Sequence, residues 1–184
     1  MEPIISDHLT YQDSFRSVTA RKLGIDNTPP ETAVFNIHIF AIKIFEVLRS
    51  LISSAYLPFI FPDDIYRCPA LNTAVGGASN SQHLALGGSA AADLDNSIHP
   101  NCVQNDSLFM IAYNSLSVDY DQMIAEDIDE NGNVGWVHIS HDRNKDKQRR
   151  EAMVSFMINK KRVYRVFDIM KGFIRSKYLQ EGEI

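Results

Sequence analysis

Asp119-Tyr120-Asp121-Gln122-Met123-Ile124-Ala125, then Asp129-Glu130-Asn131-Gly132-Asn133, then Val134-Gly135-Trp136-Val137-His138-Ile139-Ser140, are two strand-like runs on either side of a turn-forming cluster. Tyr120, Gln122 and Ile124 lie on one face of the first run, and the Asn-Gly step between the runs favours a tight reversal, so an antiparallel hairpin is predicted. That pairing sets the Glu126 end of the first strand beside Trp136 to His138 of the second. Working outward, residues 105–116 read as a helix and residues 90–94 as a short buried strand. The fold class expected is α+β, a small antiparallel sheet flanked by helices.

Nearer the N-terminus, Thr10 followed by Asp13 has capping-box spacing and predicts a short helix ending at Gly24. Residues 25–30 break the chain. Val34, Ile37, Ala41, Ile44, Phe45, Leu48 and Ile52 then recur at threes and fours, which predicts a helix from Pro30 to about Ala55. Residues 57–61 read as a strand or an extended entry into Tyr66-Arg67, and residues 69–75 as a short helix stopped by Gly76-Gly77. At the other end, Val163, Val166, Phe167, Met170 and Ile174 predict a C-terminal helix over 162–178.

A chain of 184 residues suits a single domain spanning 1–184. With 45% hydrophobic and 22% charged residues it has the composition of a globular protein, neither disordered nor fibrous. A net charge of -5 argues against a nucleic-acid partner, which calls for a basic face, and the basic run 145–150 reads as solvated surface. No membrane partner is expected, because the apolar stretch 33–57 is interrupted by Asn36, His38, Lys43, Glu46 and Arg49. Met1-Glu2-Pro3 has neither a positive region nor an apolar one behind it, so synthesis in the cytoplasm without a signal peptide is expected. Cys68 and Cys102 lack Cys-x-x-Cys spacing, which excludes a zinc ribbon and a disulfide scaffold; both are expected to be reduced thiols.

The chemistry concentrates in Ser81-Gln82-His83, Asp93 ten residues after His83, and His138. Two imidazoles and one carboxylate leave a fourth tetrahedral position for water, the arrangement of a catalytic zinc rather than a structural one. Asp95 competes with Asp93 for the carboxylate role, since strand alternation puts both on one face. His8, His38 and His99 have no motif around them and read as ordinary surface or core histidines. Asp127 to Gly132 has only part of a calcium-loop pattern and reads as a solvated turn.

Taken together, Tyr66-Arg67-Cys68-Pro69-Ala70-Leu71-Asn72, Val75-Gly76-Gly77, Asn80-Ser81-Gln82-His83, Ala91-Ala92-Asp93, Asp121-Gln122-Met123-Ile124-Ala125-Glu126 and Trp136-Val137-His138-Ile139-Ser140 resemble the zinc-dependent D-alanyl-D-alanine carboxypeptidases, the VanY-like murein peptidases that include phage endolysins. The resemblance covers about residues 10–155. It implies the hedgehog/D,D-peptidase fold, zinc held by His83, Asp93 and His138, an Arg67 that binds substrate carboxylate or stabilises the oxyanion, and a substrate-orienting Ser81 accompanied by Gln82. Asp93 is preferred over Asp95 because it keeps the Ala-Ala-Asp-aliphatic pattern. The implied function is hydrolysis of an amide bond next to a D-amino acid in peptidoglycan stem peptides, by a phage lysis or virion-associated enzyme acting at the bacterial cell wall or within a virion. The basic run 145–150 then has a second reading, contact with anionic wall polymers or a virion assembly partner.

Two departures from the family stand out. His83 and Asp93 are further apart than is usual, with Leu84 to Ser89 forming a longer loop, which loop-closure entropy tolerates at about 0.6 kcal/mol per doubling. Many relatives carry an acidic residue three before the last histidine, where this chain has Gly135. Glu126 is therefore the first choice for general base, with a plain surface carboxylate as the competing reading, and His141 is the second choice. The alternative function is a non-catalytic structural or virion protein that keeps the peptidase fold.

Overall fold

The structure is a computed structural model and describes residues 4–52, 62–97, 99–180 and 182–183. A short antiparallel pair, β1 (Ile4–Ser6) and β2 (Leu9–Thr10), opens the chain. Thr10 and Asp13 do exchange the two capping-box hydrogen bonds, Thr10 N–H to Asp13 Oδ2 and Asp13 N–H to Thr10 Oγ1, each 3.1 Å. They close a turn instead of starting a helix, because Thr10 is already in strand pairing. The helix α1 (Val18–Leu23) begins at Ser17, whose hydroxyl accepts from Ala20 N–H at 3.2 Å, and ends at Gly24 in the left-handed region, φ 64°.

The long helix forms from residue 31 as α2 (Glu31–Phe40), a π-helical stretch at Ala41–Phe45 and α3 (Glu46–Leu51). It ends at Leu51, with Ile52 already extended (ψ 128°), short of the expected end near Ala55; residues 53–55 and the expected strand at 57–61 lie outside the described residues. β3 (Pro62–Asp64), α4 (Pro69–Ala74), β4 (Ser89–Leu94) and α5 (Asn105–Asn114) follow. The hairpin is β5 (Gln122–Glu126) and β6 (Trp136–Asp142), with Glu126 opposite Trp136 as expected. Cys68 and Cys102 are free thiols. No helix of the described residues is long and apolar enough to cross a membrane.

The expected C-terminal helix is corrected. Residues 151–166 form a second hairpin, β7 (Glu151–Ile158) and β8 (Lys161–Val166), followed by turns and a 3₁₀ turn at Arg175–Tyr178. Val166 and Met170, two positions expected to face inward, are 71% and 83% exposed. The period that governs is 2: Val163 is half-buried and Phe167 buried, while Tyr164 and Val166 point to the other face and are exposed. The two-residue loop Asn159-Lys160 has φ 48° and 64°, a left-handed pair matching the twist of adjoining strands, which is what fixes this reversal.

The α+β expectation holds, with a sheet larger than expected. Six strands run in the order β3-β4-β6-β5-β7-β8; all neighbours are antiparallel except β5 and β7, which pair in parallel. One face carries Ala90, Ala92, Leu94, Met123, Ala125, Val137, Ile139, Val154 and Phe156, and it is buried under α2 and α5. Alanines on β4 let α2 approach closely, and Phe40, Phe45 and Phe109 fill the layer between. The opposite face carries Asp93, Ile124, Glu126, Trp136, His138 and Met153, which line an open cleft, so the site is a consequence of strand parity.

Lys160→Gly should raise stability. A non-glycine residue in the left-handed region costs about 1–2 kcal/mol, part of which glycine returns through its freer unfolded chain. A net gain of about 0.5 kcal/mol, or ~1–2 °C in thermal midpoint for a chain of this size, is expected. A lowered midpoint would show that the β7–β8 turn is not the one described.

Candidate metal centre

His83, Asp93 and His138 reach the open face from three separate elements, and among the described residues they are the one group of three or more His, Cys, Asp or Glu side chains close enough to hold a metal ion. His83 lies in a single 3₁₀ turn, Gln82–Leu84, capped by Ser81, whose hydroxyl accepts from His83 N–H at 3.4 Å. Asp93 and His138 face each other across β4 and β6. His83 is buried, and its Nδ1 lies 2.9 Å from the Ile65 carbonyl, so Nδ1 carries the proton and Nε2 is turned to the site as an acceptor.

Three distances define the group. His83 Nε2 is 3.2 Å from His138 Nδ1 and 3.3 Å from Asp93 Oδ1, and His138 Nδ1 is 2.9 Å from Asp93 Oδ1. Zinc bonds of about 2.0–2.1 Å place tetrahedral ligand atoms about 3.3–3.4 Å apart, so this triangle needs to spread only by tenths of an ångström to take the ion. The residues fit a small tetrahedral cation with one open position.

Arg67 supports the triangle from below. Its Nη2 donates to Asp93 Oδ2 at 2.6 Å, which leaves Oδ1 for the imidazoles, and its Nε donates to Asp64 Oδ2, also at 2.6 Å. Burial by itself would raise the Asp93 pKa, but the His83 and His138 imidazoles set against its carboxylate hold it well below the ordinary carboxylate value. At Asp64 burial wins and the pKa is raised despite Arg67. Asn27 anchors the strand end that presents Arg67, donating to the Phe15 and Tyr66 carbonyls at 2.9 Å each and accepting from Cys68 N–H at 2.7 Å.

The longer loop after His83 does not part the ligands. Ala85, Gly87 and Gly88 take φ of 51°, 64° and 101°, which folds the extra residues into a tight excursion, and Asn36 of α2 ties it down by donating to the Ala85 carbonyl at 2.8 Å. Asp95 is not in the group. Its Oδ1 accepts from Ser97 N–H, Ser97 Oγ and Asn105 Nδ2, a turn role beyond the end of β4.

An open cleft of about 1250 Å³ surrounds the triangle, and Arg67, Ser81, Gln82 and Glu126 all line it. Gln82 is fixed by donating from Nε2 to Asp121 Oδ2 at 2.9 Å. Burial would raise the Asp121 pKa, yet hydrogen bonds from Arg149 and Gln82 bring it below the usual value. Glu126 is buried and not a loose surface carboxylate: Oε2 accepts from Arg162 Nη1 at 2.7 Å and, over a short hydrogen bond, from Ser155 Oγ. His141 is not brought to the site. Three residues beyond His138 it falls on the helix-covered face of β6, with Nδ1 2.7 Å from the Asp119 carbonyl. At position 135, Gly135 N–H donates to the Glu126 carbonyl at 2.9 Å, and an added Cβ would come within 3.2 Å of that same oxygen.

Sequence reading missed Asp64, Ser155 and Arg162. Asp64 precedes Arg67 by three residues, a spacing that could have flagged it, whereas Arg162 was hidden by the expectation of a helix. No curated protein matches the sequence significantly. The description Peptidase M15 matches residues 7–108, more than half of the chain, a span that contains Arg67, Ser81, Gln82, His83 and Asp93 and stops short of β5 and β6, where the fold supplies His138 and Glu126. On that match, the chain belongs to peptidase family M15.

Proposed function

We propose that this protein is a zinc-dependent peptidase that hydrolyses an amide bond next to a D-amino acid in the stem peptides of peptidoglycan, at the bacterial cell wall. The observation that supports it most is the His83-Asp93-His138 triangle, open on one side in the cleft of a peptidase-family chain. Zinc, when bound, supplies a water with pKa near about 7 and polarises the scissile carbonyl.

The chain's own residues divide the remaining work. His83 and His138 bind through neutral imidazole nitrogens, and Asp93 binds through Oδ1 because Arg67 holds Oδ2. Glu126 is proposed as the proton acceptor. It projects on the ligand face, two residues along β5 from Ile124, which faces His138; that is about 6.8 Å of strand and leaves room for a reacting water. Ser155 and Arg162 hold its Oε2, so the carboxylate has one orientation before substrate arrives. Ser81 borders the reacting centre and is proposed to orient the substrate, with Gln82 held in register by Asp121, while Arg67, paired with Asp64 and Asp93, holds the ligand carboxylate in place.

His138→Ala and Asp93→Ala are each expected to abolish stoichiometric zinc binding, and Asp95→Ala to retain it, as read by metal analysis of the folded proteins. Full zinc content in His138→Ala would remove the assignment. Glu126→Gln should keep zinc and fold while lowering turnover by about 10²–10⁴, the usual contribution of a positioned proton acceptor. The readout is stem-peptide fragments from purified peptidoglycan by mass spectrometry. Parental activity in Glu126→Gln would exclude it from the mechanism, and a zinc-loaded parent that releases no fragments would leave the fold as a non-catalytic structural protein.

A further inference from the structure

We infer that the cleft is built for an internal amide of a peptide that continues on both sides of the cut, and not for a bond whose leaving residue ends in a free carboxylate; this rests on the peptidase reading above. A site that selects a terminal carboxylate presents a cation with an unmet charge, most effectively an arginine fork. Three arginines line this cleft, and each already lies between two carboxylates of the protein. Arg67 meets Asp64 and Asp93, both at 2.6 Å. Arg149 meets Asp121 at 2.7 Å and Glu151 at 3.5 Å, and Arg162 meets Glu126 at 2.7 Å and Asp127 at 3.1 Å.

These arginines are not free to turn to a ligand. The Asp121 and Glu126 side chains are 3% and 8% exposed, so withdrawing Arg149 or Arg162 strands a buried carboxylate without its counter-charge. Asp121 is held further by Arg149 Nε at 3.1 Å and by the Arg149 backbone N–H at 2.7 Å, which fixes the guanidinium and the chain together. Among the described residues lining the cleft, four Lys and Arg side chains face five Asp and Glu side chains, so apart from a bound zinc ion the side chains offer a substrate anion no net attraction. Lys147, in the exposed turn Lys145–Lys147, is the remaining lining cation.

The shape agrees with the charge. From Asp93 on β4 to Tyr164 on β8 the lining crosses four strand spacings, about 19 Å, enough for several extended residues on one side of the ligand triangle. On the other side, the Gly76-Gly77-Ala78 turn and Ser81 form a wall. Ile124, Trp136 and Met153 give the sheet side of the cleft an apolar surface, which suits a neutral backbone with small side chains.

The test uses two synthetic stem pentapeptides that end in D-Ala-D-Ala and differ only at the terminus, one a free acid and the other its amide. With the zinc-loaded full-length protein, kcat/KM for the amide is expected within about threefold of that for the acid. A carboxylate-binding site would lose about 10- to 150-fold on amidation, the worth of one charged hydrogen bond. Lys147→Ala is expected to leave both values unchanged. Release of D-Ala from the free acid alone, or a KM rise in Lys147→Ala confined to the free acid, overturns the inference while leaving the peptidase reading intact. Failure to cut either peptide and intact peptidoglycan overturns the peptidase reading and this inference with it.

Discussion

Asp93 divides its two oxygens between two tasks, and the site depends on that division. Oδ1 faces both imidazoles, and Oδ2 is held by Arg67. A carboxylate free to rotate would offer either oxygen or both to an ion; one locked by a guanidinium offers a single lone-pair direction, which is what a tetrahedral site with an open position requires. Several parts of the fold serve this one bond. The β3–β4 pairing sets Asp64 opposite Asp93, Asn27 fastens the segment between Tyr66 and Cys68, and the Ile65 carbonyl sets the His83 tautomer. The metal triangle is therefore supported from the segment 64–67 as much as from the strands that carry its ligands.

Strand parity supplies the second constraint. Asp93, His138 and Ile124 form one row across β4, β6 and β5, and the next residue on each strand turns into the helix-covered core. A slip of β4 by one residue against β6 would turn Asp93 into the layer of Phe40, Phe45 and Phe109, away from His138, and would expose Ala92. The same rule places His141 out of reach, although in sequence it lies nearer to His138 than Glu126 does. Proximity along a strand is a poor guide to proximity at a site when the spacing is odd.

How much of this was legible in the sequence follows from how local each signal is. The β5–β6 hairpin, the long helix, α4 and α5 were legible because turn chemistry and periodicity act within a few residues. The grouping of His83, Asp93 and His138 was legible because few residue types can hold a metal ion. Two misreadings came from motifs whose tertiary context decides their outcome: Thr10 and Asp13 form the bonds of a capping box at a strand end, and Val163, Val166 and Phe167 match a helical stripe while Asn159-Lys160 dictates a hairpin. That second error concealed Arg162 and with it the partner of Glu126, since a residue on a distant helix would have had no reason to meet β5. Pairings between residues 126 and 162, or 64 and 93, are set by sheet order, and no sequence pattern encodes them.

The clamp on Glu126 also shows why the part of the chain beyond residue 108 matters to the chemistry. The segment that matches the peptidase family carries two of the three residues of the candidate metal group, and Arg67. The third ligand and Glu126 come from β5 and β6, and the parallel addition of β7 beside β5, continued by β8, brings Ser155 and Arg162 against the Glu126 carboxylate. Ser155 and Arg162 fix the direction of its Oε2, and Glu126 stands opposite Trp136 on the open face of the hairpin. An added Cβ at position 135 would come within 3.2 Å of the Glu126 carbonyl oxygen, so a side chain there crowds the end of β5.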